Sequence, residues 1–218
     1  MLNLERAFTD KRITNILCIG AHPDDIEIGC GGTVRRLLEL NPQVHVEWVV
    51  LSSNDERSAE ARASAESLLD GAASTGVRIE AFQESYFPYH GAEMKHFFDI
   101  LGRETAPDLI LTHHGNDLHQ DHRLVADLTW NTWRDHLILE YEVPKYDGDL
   151  GRPNVFVSLD QSQCTRKVET LMKFFGSQKT KYWFTEDTFW GLLRLRGVES
   201  RSPSGYAEGF HCRKLVLL

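Results

Sequence analysis

The sequence predicts an α/β fold built on a mostly parallel sheet, and three observations lead there. Short apolar, β-branched runs alternate with longer helix-prone stretches up to about residue 137. The runs are apolar throughout rather than every second residue, as in strands buried on both faces. Polar segments rich in His and Asp follow several of the strand ends.

The elements can be justified in order. Ile13–Ile19 (ITNILCI) is the first strand, and Gly20 breaks it. After the AHPDD segment, Val34, Leu37 and Leu38 recur at helical spacing. Val44–Leu51 (VHVEWVVL) is the second strand and runs into SSNDER. Ala59–Leu69 is rich in Ala and Glu, strong helix formers, with Gly71 and Gly76 marking its end. Val77–Phe82 is a third, shorter strand. Met94, Phe97, Phe98 and Leu101 form one helical face, more consistent with core than with a ligand site. Pro107 precedes the fourth strand, Asp108–Thr112, and Leu124–Trp133 is the next helix, with Val125 and Leu128 facing inwards. This alternation is the mark of right-handed βαβ units.

Beyond residue 137 the pattern is less regular. Ile138–Val143 and Asn154–Leu159 read as strands around the turn YDGDLGRPN. Val168–Phe175 and Leu192–Arg196 read as helices, and Phe210–Leu217 as a closing edge strand. No repeat or linker divides the chain, so residues 1–218 are expected to form one domain.

Composition narrows the function. The net charge is −8 and no basic stripe is present, which argues against an electrostatic grip on nucleic acid. No apolar run is long enough for a membrane span or a signal-peptide core. The four cysteines (Cys18, Cys30, Cys164, Cys212) lie far apart without a CxxC pair, so reduced thiols and a cytoplasmic location are expected.

In open α/β sheets, ligands bind beyond the carboxyl ends of the strands. Those ends here carry Gly20-Ala21-His22-Pro23-Asp24-Asp25, Asn54-Asp55-Glu56-Arg57, and His113 to His122. His with Asp is a donor set suited to zinc. His22 and Asp25 are three apart where a helix begins, as are His119 and His122, so each pair can face one point. Zinc that activates water keeps three protein ligands and one open position. The expected ligands are therefore His22, Asp25 and one histidine of the second pair, leaving Asp24 and one imidazole to move protons. Taken singly, each of these residues is more often a helix cap or a solvated loop residue. The convergence of two such clusters at one edge favours a metal.

His45, His90, His96, His136 and His211 stand without such company and read as structural or surface residues, whereas His113 and His114 end a strand at the same edge. Gly29, Gly31 and Gly32 come too late after the first strand for a dinucleotide loop, and fit close helix–sheet packing better. Tyr182–Trp190 fits packing better than a cover for the site. Arg57, Asn116 and Asp117 offer donors and acceptors to a hydroxyl-rich ligand.

The segments GAHPDDIEIGCGGT, NDER, PDLILTHHGNDLHQDH and RLRG…YAEGF together resemble the PIG-L/LmbE-like family of zinc-dependent N-deacetylases, over most of the chain. The resemblance implies a Rossmann-like three-layer α/β sandwich. It implies Zn2+, or another divalent ion such as Fe2+, on His22, Asp25 and His122, with Asp24 as general base. It further implies His119 as acid and oxyanion stabiliser, Asp121 orienting and charge-tuning His119, and Arg57 in sugar binding. The implied reaction is hydrolysis of an N-acetyl group from an amino sugar or its conjugate, by a homo-oligomer (trimer or hexamer). An amidase of thiol conjugates or secondary metabolites is the alternative on the same site. A metal-storing protein without turnover would have no need of Asp24.

Overall fold

The computed structural model describes residues 13–216, and its sheet has seven strands. In chain order the elements are β1 (Asn15–Gly20), α1 (Asp25–Leu40), β2 (His45–Val50), α2 (Asp55–Leu68), β3 (Ser74–Ile79), α3 (Gly91–Glu104), β4 (Leu109–His113), α4 (Gln120–Thr132), β5 (Leu137–Tyr141), β6 (Val155–Leu159), α5 (Gln161–Phe174), α6 (Glu186–Ser200) and β7 (Tyr206–His211). The strand order is β3-β2-β1-β4-β5-β7-β6. The first five strands are parallel, with Ile16 opposite both Val46 and Leu109, and β7 runs antiparallel to β5 and β6.

Successive side chains of a strand point to opposite faces, and β1 shows why both faces are apolar. Ile16 and Cys18 join one core with residues of α1, α2, α5 and α6. Leu17 and Ile19 join the other, with Met94, Phe98 and Leu101 of α3 and Val125 and Leu128 of α4. The result is the expected three-layer sandwich.

Helix ends follow local chemistry. Asn54 caps α2, which begins at Asp55, four residues before Ala59, and its Oδ1 accepts the Arg57 N–H at 2.9 Å. A capping box between Asp160 and Gln163 starts α5 ahead of Val168. Thr185 caps α6, which is longer than the expected Leu192–Arg196.

The C-terminal strand departs from expectation. It spans Tyr206–His211 rather than Phe210–Leu217, and it lies inside the sheet between β5 and β6, leaving β6 at the edge. Residues 212–216 lie outside any strand, and Leu217 lies outside the described residues. The reason is polar. Glu208 of β7 reaches across to α1, where its carboxylate accepts the N–H groups of Gly32 (3.0 Å) and Thr33 (2.7 Å) and pairs with Lys167 of α5 at 2.5 Å. That contact needs β7 beneath α1.

Two glycines of α1 permit the close packing expected of them. A Cβ on Gly29 would stand 2.1 Å from the Tyr141 ring, and one on Gly32 2.4 Å from Leu159. Tyr141 can therefore lie under α1 and donate its hydroxyl to the Ile19 carbonyl at 2.7 Å.

Glu140 of β5 ties down the loop after β4. Its buried carboxylate meets His114 Nδ1 (2.7 Å), the Gly115 N–H (3.0 Å), Trp130 Nε1 (2.5 Å) and Arg213 Nε (2.5 Å). Burial alone would raise its pKa, but these partners hold it below the usual Glu value. A carboxylate with a depressed folded pKa contributes stability above its unfolded pKa and loses it as the pH falls through the folded one. Glu140→Gln is therefore expected to destabilise the protein by about 2 kcal/mol at pH 7. Thermal unfolding of both proteins should show that gap narrowing below about pH 4.5.

Candidate metal centre and active site

β1 and β4 are neighbours whose following helices pack on opposite faces of the sheet, so the two chains diverge above their carboxyl ends. A crevice forms at such a point. The AHPDD segment enters it from β1, and His113 to His122 enter it from β4.

Three atoms converge there. His22 Nδ1 lies 3.1 Å from His122 Nε2 and 3.3 Å from Asp25 Oδ2, and His122 Nε2 lies 3.5 Å from Asp25 Oδ2. A tetrahedron with ligands about 2.0 Å from its centre has edges of about 3.3 Å. The three atoms thus span one face of a zinc-sized site, and all three residues are buried.

Charge in the cluster follows the same pattern. Burial works against a charge on His22, but the Asp25 carboxylate and hydrogen bonds to Asp121 and Asp25 outweigh it and push its pKa up to about 10. Burial, reinforced by His113, keeps His122 neutral with a pKa of about 3. Asp25 would be raised by burial, yet His122, His113 and His22 hold it well below the usual range. A cation bound there would compete with protons for the same three donor atoms.

Each histidine is oriented from behind. His122 Nδ1 meets Asp117 Oδ2 at 2.9 Å, and Lys145 Nζ reaches the same oxygen at 2.9 Å. His22 Nε2 meets Asp121 Oδ2 at 3.2 Å. Asp121 also accepts the backbone N–H groups of Ser85 (2.6 Å) and Phe87 (3.2 Å). These are the carboxylate–histidine pairs that fix tautomers in metal sites. The Asp121 side chain thus serves His22 rather than the expected His119. Its backbone N–H donates to His119 Nδ1 at 3.2 Å, and its charge still acts on His119, opposing the fall in pKa caused by burial and His22.

That contact leaves a neutral His119 with its proton on Nε2, which has no partner among the described residues. Its ring stacks on His122 with centroids 4.6 Å apart. Burial and the nearby His22 lower its pKa.

Asp24 stands beside the cluster without joining it. Burial and Asp25 raise its pKa, while Arg57, Lys181 and His22 restrain the rise. Arg57 grips it at 2.9 Å and Glu84 at 2.8 Å, with one contact from each terminal guanidinium nitrogen, and it lines the cavity. Asn116 is exposed and absent from the cavity wall, contrary to its expected place, because its neighbour Asp117 is the residue turned inwards.

The cavity over the cluster has a volume of about 180 Å³. Besides the expected side chains, Glu84, Lys145, Tyr146, Asp147, Lys181 and Trp183 line it. No spacing in the sequence signals them, since Glu84 arrives on the loop after β3 and the others on turns from the irregular C-terminal part. Tyr182–Trp190 proves mixed, with Trp183 on the cavity wall and Phe184 and Phe189 in the core.

His113 is a third imidazole near Asp25, at 3.2 Å. Its Nε2 already accepts the Ala21 N–H at 2.9 Å, so using it as a ligand would orphan a buried donor. It braces the AHPDD turn instead. Asp117→Asn is expected to weaken divalent-metal affinity about 10–100-fold, because a neutral amide holds His122 less basic. Competition against a chromophoric chelator measures this, and unchanged affinity would remove Asp117 from the metal support.

The family model described as PIG-L, GlcNAc-PI de-N-acetylase, matches residues 17–133, which include every expected site residue. The chain is 29% identical over 170 residues to the uncharacterized deacetylase YaiS of Escherichia coli K12, covering 72% of this chain and 89% of that protein. Among solved structures, the N,N'-diacetylchitobiose deacetylase of Pyrococcus horikoshii matches with a TM-score of 0.69 at 20% identity, over 97% of this chain and 87% of that one. The 4-carboxy-2-hydroxymuconate hydratase GalB of Pseudomonas putida KT2440 matches with a TM-score of 0.76 at 17% identity, over 94% and 98%. At such identities these structures establish the fold, which both reactions share.

Proposed function

The chain belongs to the PIG-L family, and on that premise we propose that it is a metal-dependent hydrolase removing the N-acetyl group from an amino sugar or amino-sugar conjugate. The proposed ligands are His22, Asp25 and His122, with zinc as the metal or Fe2+ in its place. The whole chain is read as one catalytic domain. The observation that carries the reading is Asp24, a buried carboxylate on the cavity wall beside the three donor atoms and outside their set. Storing a metal requires no such group.

When bound, a divalent ion polarises the amide carbonyl and acidifies water. Asp24 takes the proton of the attacking water through its Oδ2, since Arg57 occupies Oδ1. Arg57 keeps that carboxylate fixed and counters the pull of burial towards the neutral acid. His119, with Nε2–H unpaired, donates towards the negative charge that develops on the carbonyl oxygen. The amine leaves with the proton that Asp24 took from water, giving acetate and a free amino sugar.

The test is acetate and amine release from a panel of N-acetylated sugars, using protein purified without chelator and then supplied with single divalent ions. Metal-dependent release is expected. No release with any ion and any sugar would overturn the reading.

A further inference from the structure

Three Lys and Arg side chains line the cavity, and two of them are already neutralised. Arg57 lies between Asp24 and Glu84. Lys145 lies between Asp117 (2.9 Å) and Asp149 (2.6 Å). Lys181 differs. Among the described residues no carboxylate lies within 4.0 Å of its ammonium, which rests instead over the Trp183 ring, 5.5 Å from the centroid. Asp147, exposed at the mouth, and Glu84, held by Arg57, share the wall but are not paired with it.

The turn that carries Lys181 is fixed in place. Its N–H donates to the Gln178 carbonyl at 2.9 Å, and its own carbonyl accepts the Phe184 N–H at 3.0 Å. Phe184 is buried in the larger core. The neighbouring Tyr182 N–H donates to Tyr146 Oη at 3.1 Å, joining this turn to the other late-arriving wall of the cavity. A cation held on an anchored turn, over an aromatic ring and facing a cavity, is preorganised for an anion.

We propose that Lys181 recognises an anionic substituent of the substrate, so that the preferred substrate is an N-acetyl amino sugar bearing a phosphate or a carboxylate. The proposal rests on the deacetylase reading above and adds the charge class of its substrate. A neutral sugar would leave the ammonium without a counter-charge, whereas an anion gives it a charge-assisted hydrogen bond.

The experiment compares kcat/KM of the metal-loaded protein for N-acetylglucosamine 6-phosphate, for N-acetylmuramic acid, and for N-acetylglucosamine and its methyl glycoside. At least one anionic sugar is expected to be preferred by about ten- to hundredfold, the value of one charge-assisted hydrogen bond. Preference for the phosphate or for the carboxylate identifies which anion is read. The preference should fall as salt is raised, collapse towards unity in Lys181→Met, and persist in Lys181→Arg. Equal kcat/KM for neutral and anionic sugars, or a preference unchanged in Lys181→Met, would overturn the proposal.

Binding gives a readout independent of turnover. Glucosamine 6-phosphate or muramic acid should quench the Trp183 fluorescence where glucosamine does not, and Lys181→Met should remove the effect. Absence of acetate release from every sugar would refute the deacetylase reading. Anion-dependent quenching would still support Lys181 as an anion reader, and its absence would count against it.

Discussion

Asp24→Asn is expected to lower kcat by roughly 10²–10⁴-fold while leaving bound metal unchanged. Asn is nearly isosteric with Asp, and Asp24 lies outside the set of His22, Asp25 and His122, so those donors should keep their places. What is lost is the acceptor for the proton of water. Arg57 also loses one of its two carboxylates and is left to Glu84, whose side chain is about half exposed. Some rise in KM is therefore expected beside the fall in kcat. Steady-state kinetics at saturating metal, paired with elemental analysis, separates the two effects. Wild-type kcat at full metal occupancy would assign the base elsewhere.

Asp25→Ala is expected to act on the metal itself. Asp25 is the anion of the cluster, lying 3.3 Å from His22 Nδ1 and 3.5 Å from His122 Nε2, and its Oδ2 also accepts the His22 N–H at 2.6 Å. Removing it takes away a donor and the charge that balances three imidazoles. The loss of affinity should exceed the roughly 10–100-fold typical of groups that merely orient a ligand. Activity should then be negligible without a large excess of metal. The same protein treated with chelator and reloaded provides the control, since its activity should return. Full occupancy and turnover in Asp25→Ala would remove Asp25 from the ligand set.

The fold alone leaves the reaction open. A hydratase and deacetylases share this architecture with the chain, at identities that support nothing finer than fold. Family membership and the disposition of Asp24, Arg57 and His119 narrow it to amide hydrolysis, and acetate release distinguishes that from addition of water to a double bond.

Strands β1, β2, β4 and β5 were legible in the sequence because burial on both faces leaves apolar runs, whereas β3, with no buried residue, spans Ser74–Ile79 rather than the expected Val77–Phe82. The pairs His22/Asp25 and His119/His122 were legible for a related reason, since three residues at a helix start bring two side chains to one side whatever the rest of the chain does. Only the tertiary structure decided which pair meets which. Asp121 looked like the partner of His119, two residues away, but His22 faces its carboxylate from another loop. The sequence showed Arg57 near the site without showing that Asp24 and Glu84 would hold it there. Asn116 and Asp117 looked equivalent, and one turned outwards while the other took His122. The place of β7 inside the sheet, and of Lys145 and Lys181 on the cavity wall, depended on contacts made far along the chain. Glu208 is held by Lys167 and the N–H groups of α1, and Arg196 grips Glu142 at 2.7–2.8 Å and Gly151 at 3.2 Å, closing the base of the segment that carries Lys145. Hydrophobic period and local spacing act within one element. Buried ion pairs act between elements, and a sequence shows their charges without showing which will meet.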